Sequence, residues 1–146
     1  MASATTAPSF QLTLVTPERK LVAGQEIDEI FVPAYAGEIN VLPGHAPLMT
    51  ILQIGVLRYR NKGESKVHTV AVSSGYCQVN PHGVNVLAET AERPEDIDIE
   101  RARNSYAEAQ ARLASADIGV DLLEELKSKA SRAVVRQTVA SSERHN

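Results

Sequence analysis

An α+β fold is predicted, an N-terminal antiparallel β-sandwich followed by a C-terminal α-helical hairpin. Three observations carry it. Before Arg93-Pro94, hydrophobic residues recur with period two. Over the same stretch, turn-forming residues punctuate the chain about every eight to twelve positions, the spacing of a sandwich or barrel. After Pro94 the hydrophobic period becomes helical. The chain then divides into an N-terminal tail over 1–9 that is expected to be disordered, a sandwich over 10–91, a hairpin over 92–140 and a flexible tail over 141–146.

The strands follow in order. "FQLTLV" alternates Phe10, Leu12 and Leu14, and "EIDEIFV" supplies Ile27, Ile30, Phe31 and Val32. "GVLRYR" sets Leu57 and Tyr59 against Arg58 and Arg60, and "KVHTVAV" and "GVNVLAE" repeat the habit. Between them "AYAG", "LPGHAP", "NKGE", "SSG" and "NPHG" hold residues that preset a turn or permit positive φ. With no Trp, two Phe and four Tyr in 146 residues, the core must be aliphatic.

In the second part Ala102, Tyr106, Ala109, Leu113 and Ala116 form one apolar stripe. Pro94, Glu95 and Asp96 predict its helix start, because acids there complement the exposed N–H groups. Gly119 breaks the pattern, and Asp121 is expected to cap a second helix, whose stripe is Leu123, Leu126, Ala130, Ala133 and Gln137, flanked by Val134. A short connection makes the pair an antiparallel hairpin. The first stripe is mostly alanine, so the seam buries little apolar area at about 0.8 kcal/mol per methylene. Charge is segregated as well: from Glu92 to Glu125 ten acids face four arginines, and from Lys127 to Arg144 five bases face Glu143 alone. That pattern fits two solvated faces that attract each other, or a basic helix that detaches towards an acidic partner. Straightened end to end, two helices of about 20 residues each would reach about 60 Å.

Composition narrows function. A net charge of −3 argues against nucleic acid, which calls for a basic stripe. A lone cysteine, Cys77, forms no internal disulfide and suits a reducing compartment as a buried apolar residue. No apolar run approaches a membrane span. His45, His68, His82 and His145 show no paired zinc-ligand spacing, so no metal is expected; His68 and His82 read as surface residues. No nucleophile elbow or phosphate-cradling loop is present, and no catalytic residues are assigned.

One loop stands out, "GEINVLPGHAP" from Gly37 to Pro47. Pro43 and Pro47 fix φ and remove two donors. Gly44 permits the reversal and Asn40 tolerates a left-handed conformation. His45 is then held at a turn tip, with Glu38 on the strand before it. Without cleft-forming partners the two suit a rigid binding surface better than a catalytic pair.

"GEINVLPGHAPLM", "GVLRYR", "VSSGYCQV" and "VNVLAETAERPEDID" resemble, in order and over about Phe10 to Val139, the ε subunit of bacterial F-type ATP synthase. The chain is likewise similar to chloroplast ε and mitochondrial δ subunits. The resemblance implies a non-catalytic rotor subunit whose sandwich binds γ and rests on the c-ring. It places Gly37, Glu38, Asn40 and His45 at that junction. Two departures occur: Asn40 stands where many relatives have the last glycine of G-E-L-G, and Ser74 where they often have glycine. The hairpin is implied to be regulatory, extending between the α and β subunits to inhibit hydrolysis. Lys127, Lys129, Arg132 and Arg136 are the candidates for pairing with β. "IDIERA" matches the I-D-x-x-R-A pattern of ε subunits that bind regulatory ATP, with Glu92, Asp98, Arg101, Ala102, Arg132 and Arg136 as candidate ligands. Glu108 stands where such relatives carry an arginine, and helix capping with an intrahelical ion pair is the plainer role for Asp98 and Arg101. No cofactor is otherwise required. The resemblance implies a peripheral position on the cytoplasmic face of the bacterial inner membrane, reached only through the complex. A free-standing sandwich module with a helical interaction arm remains the alternative at this point.

Overall fold

The computed structural model describes residues 9–115 and 117–143. The expectations for residues 1–8, Ala116 and 144–146 (Arg144 and His145 among them) fall outside the described residues. Among the described residues nine strands precede two α-helices: β1 (Gln11–Val15), β2 (Lys20–Ala34), β3 (Gly37–Val41), β4 (Leu48–Leu52), β5 (Gly55–Asn61), β6 (Val67–Val72), β7 (Gly75–Asn80), β8 (Gly83–Ala88), β9 (Ala91–Glu92), α1 (Ile99–Leu113) and α2 (Val120–Ser142).

The long β2 belongs to both layers of the sandwich. Its first part pairs with β1, Leu14 opposite Val22, and its later part pairs with β5 and with β3, Ile30 opposite Tyr59 and Val41. Gly24, at φ 63°, sits in the irregular stretch where β2 leaves one layer for the other. One layer runs β3-β2-β5-β6-β9 and the other β4-β7-β8-β1. The pairings are antiparallel with one exception among the described strands, the parallel pair β1–β8. Alternation delivers Leu12, Leu14, Ile30, Val32, Leu57, Val70, Val84 and Val86 to the interior, each at most 1% exposed. Cys77 lies among them, and burial pushes its thiol up to about 11.

The helical part starts later than the sequence suggests. Pro94–Asp96 form a single 3-10 turn, Ile97 returns to extended backbone, and Asp98 caps α1 by accepting from the Arg101 N–H at 3.1 Å. The acids after Pro94 suit any turn with free N–H groups, and the cap that starts the α-helix is the side chain able to fold back on it. Asp121 does not cap α2: Gly119 occupies the cap position and Asp121 lies in the first turn. Glu92, grouped with the helices by period, ends a strand that pairs with β6. Two arginines fasten the connection. Arg93 donates to the Leu21 carbonyl at 2.6 Å, and Arg19 reaches both the Ala91 carbonyl and Asp96. The Arg19 bond holds the Asp96 carboxyl below its ordinary range, so its contribution is present at neutral pH and is lost as acid protonates it.

Candidate functional site

The stretch singled out in the sequence is not one loop: Gly37–Val41 form the edge strand β3, paired with β2, and Pro43–Pro47 lie in the connection from β3 to β4. Gly37 takes φ 124° and Gly44 φ 88°, both open to glycine. Glu38 is exposed on β3 and accepts from the Arg58 guanidinium at 2.8 Å, and that guanidinium lies 4.5 Å over the Phe31 ring. The His45 N–H donates to the Leu42 carbonyl at 3.1 Å, and its ring Nδ1 donates to the Ala46 carbonyl at 2.7 Å. Asn40 is not left-handed. It sits in register opposite Phe31 in β3, and no described non-glycine residue has positive φ. An edge strand accommodates a polar outward residue at that place without a turn.

A second surface was missed by sequence reasoning. On the outer face of the β4-β7-β8-β1 layer, Ile51 lies opposite Tyr76, Tyr76 opposite Leu87 and Leu87 opposite Val15. The neighbouring row runs Met49, Gln78, Asn85 and Thr13. Met49 is 67% exposed, Tyr76 58%, Ile51 53% and Leu87 50%. Tyr35 extends the patch, its N–H donating to the Ile51 carbonyl. A shallow depression of about 240 Å³ lies over this face. Its signal in the sequence was "LMTIL", a strand apolar on both faces where a solvated sheet alternates.

The second helix packs on the other layer. α2 lies against β5 and β6, with Thr69 and Ser142 hydroxyls 2.9 Å apart. Its buried residues are Leu126, Ala130, Ala133 and Val139, and those of α1 are Ala102 and Ala109, so the helical part buries mostly small side chains. Tyr106 remains 36% exposed and Gln137 is half-buried, so Val139 rather than Gln137 completes the stripe. Arg136 grips Glu92 with two bonds, Nε to Oε2 at 2.7 Å and Nη2 to Oε1 at 2.9 Å. Lys129 meets Glu108 at 3.2 Å and Lys127 meets Glu124 at 3.8 Å. A short connection between Leu113 and Val120 joins two helices that pack against each other, so they lie antiparallel. Arg132, Arg136 and Glu92 line one cleft with Ser73 and Thr90, but its volume is about 10 Å³, room for one water. Asp98 and Arg101 are joined through the cap, and the intrahelical ion pair of this turn is Glu100–Arg103 instead.

Among the described residues no group of three or more potential ligands could hold a metal, and no helix is long and apolar enough to cross a membrane. His68 is a more packed residue than expected. It stacks on Tyr59 at 5.1 Å and lies 3.1 Å from Glu64.

Residues 9–94 match the family described as "ATP synthase, Delta/Epsilon chain, beta-sandwich domain". The chain belongs to the ATP synthase epsilon-chain family. It is 47% identical over 105 residues to the ATP synthase epsilon chain of Bdellovibrio bacteriovorus, covering 72% of this chain and 75% of that one. It is 40% identical over 134 residues to the epsilon chain of Geobacter sulfurreducens, covering 92% and 95%. Among solved structures it is similar to a chain of the Euglena gracilis mitochondrial ATP synthase OSCP/F1/c-ring assembly, with a TM-score of 0.78 at 20% identity over 99% of this chain and 86% of that one. A chain of the Tetrahymena thermophila mitochondrial ATP synthase central stalk and c-ring gives a TM-score of 0.64 at 14% identity, covering 93% and 99%. These two show that the likeness of fold extends over the helices as well as the sandwich. Membership of the epsilon family displaces the free-standing binding module.

Proposed function

We propose that this chain is the non-catalytic epsilon subunit of an F-type ATP synthase central stalk, coupling γ to the c-ring for proton- or ion-driven ATP synthesis. The observation that carries it is the exposed apolar face of Met49, Ile51, Tyr76 and Leu87 on a sandwich of this family. An apolar patch of this kind marks a protein interface. In this reading the face docks γ, and Gly37, Glu38, Asn40 and His45 present a polar edge to the c-ring loops. The subunit is then peripheral, held through the complex on the cytoplasmic face of a bacterial inner membrane.

The hairpin is the regulatory part. Extended, it would reach the α and β subunits and offer Lys127, Lys129, Arg132 and Arg136 to an acidic segment of β. The small-residue seam supports this, because a surface that buries little can be exchanged for another at a cost of a few kcal/mol. The test is reconstitution with an ATPase head lacking its own epsilon, comparing the full chain with one ending after Arg93, which keeps β9. Equal binding with relieved inhibition of hydrolysis in the shorter chain is expected. Failure of both to bind the γ-containing head overturns the docking role, and equal inhibition by both overturns the regulatory one.

Regulatory ATP is the second reading, favoured by the convergence of Glu92, Arg132 and Arg136 on one cleft. Arg136 is already engaged by Glu92, and the cleft must widen to admit a base or phosphate. Binding is therefore expected to be weak, saturating only at about millimolar ATP (about −4 kcal/mol). A titration followed by NMR of the Asp98–Ala102 amides checks it, and absence of a saturable shift removes ATP from the reading.

A further inference from the structure

Two of the cations that α2 carries are matched in the compact fold to carboxylates of the same chain. Arg136 commits both Nε and Nη2 to Glu92, which lies on a sandwich strand, and Lys129 is bound to Glu108 of α1. Arg136 and Glu92 are half-buried, at 34% and 28% side-chain exposure, so water competes with their bond less than at an open surface. The apolar contribution beside them is small: four of the six buried residues that the two helices contribute are alanine. The ion pairs therefore carry much of the discrimination between a docked and a released α2.

We infer that Glu92 and Glu108 act as internal competitors for the cations that α2 offers to an acidic partner. A guanidinium whose fork is filled by one carboxylate cannot present the same two N–H groups to another. The docked helix and the partner-bound helix are then mutually exclusive because they use the same charges, and the partner must supply carboxylates that outcompete these two. The inference rests on the regulatory reading above for the partner, and on the geometry alone for the latch.

Thiol labelling of the full-length chain separates the two. Val139 is fully buried one turn before Ser142, the residue bonded to Thr69, so a Val139→Cys thiol reports release of α2 from the sheet. The native Cys77, fully buried between the layers, reports opening of the sandwich in the same sample. Adding Glu92→Gln is expected to raise the labelling rate at position 139 about tenfold at low salt, as for loss of a charge-assisted pair, with Cys77 unchanged. Raising salt to about 0.5 M should bring the parent towards the variant's rate and leave the variant nearly flat. Glu108→Gln, at an exposed side chain, should act in the same direction by about threefold. With an epsilon-depleted ATPase head, both variants should inhibit hydrolysis at several-fold lower concentration than the parent. Unchanged labelling in both variants overturns the latch. Faster labelling with unchanged inhibition overturns the competition for a partner. If the chain ending after Arg93 inhibits as well as the full chain, the regulatory reading and the competition fall together, while the labelling rates still decide the latch.

Discussion

Replacing Gly83 with alanine is expected to lower the melting temperature of the sandwich by about 15 °C. Gly83 opens β8 at φ 150°, a conformation that L side chains rarely adopt, and it pairs with Gln11 in the parallel β1–β8 contact. A Cβ built there would overlap the carbonyl oxygen, carbon and nitrogen of Gln11, all backbone. Backbone on both sides cannot move away as a flexible side chain would, so β1 must separate from β8 or both must shift. Strain at such a φ and overpacking together cost about 3 kcal/mol. A domain of this size loses about 5 °C per kcal/mol. The consequence reaches the core because β1 supplies Leu12 and Leu14, both fully buried. Gly63→Ala is the matching control: its φ is 78°, but nothing lies within 4 Å of the added Cβ. That change should cost about 1 kcal/mol, from the backbone conformation alone. Thermal melts followed by circular dichroism decide the matter, and equal shifts for the two variants would refute a steric origin.

The same contact shows what the sequence could and could not display. Period-two alternation placed Leu12, Leu14, Ile30, Val32 and Leu57 correctly because a half-buried strand writes its own pattern locally. That β1 lies parallel to β8 depends on residues about seventy positions apart and leaves no local trace. Gly44 announced a turn and has the positive φ a turn there requires, whereas Asn40 only permitted one and was held in β3 by its register with Phe31. Pro94, Glu95 and Asp96 satisfied every rule for a helix start, yet the same rules describe a 3-10 turn, and the Asp98 side chain decided where α1 begins. The stretch from Glu38 to His45 was visible because prolines and glycine mark it, although it divides into a strand and a connection. The apolar face was nearly invisible because its members come from β4, β7, β8 and β1, each contributing one or two residues. The grip of Arg136 on Glu92 spans 44 positions and needs the fold to bring it together.

Tyr76→Asp should weaken binding to a γ-containing ATPase head by about a hundredfold or more, with the fold intact. Tyr76 is central in the apolar row, between Ile51 on β4 and Leu87 on β8. Its side chain points outward and is 58% exposed, so the free chain keeps a hydrated carboxylate at little cost to stability. Docking would strip that hydration against an apolar partner, and an unpaired charge buried in an interface costs about 3 kcal/mol or more, which is the hundredfold. Ile51→Asp, on the adjacent strand, should reproduce the loss. Glu38→Gln provides the contrast. Glu38 sits exposed beside Arg58 on an edge strand, and a rim charge governs approach and salt dependence more than residence. Its removal should change affinity only by about threefold at moderate salt. Binding can be read by surface capture of the head, with circular dichroism confirming that each variant is folded. If Tyr76→Asp binds like the parent while Glu38→Gln loses most of its affinity, the loop and not the sheet face holds the subunit on its shaft. The opposite ranking follows from the structure, because an open sheet of Met49, Ile51, Tyr76 and Leu87 has far more apolar area to withdraw from water than a turn built from glycine and proline.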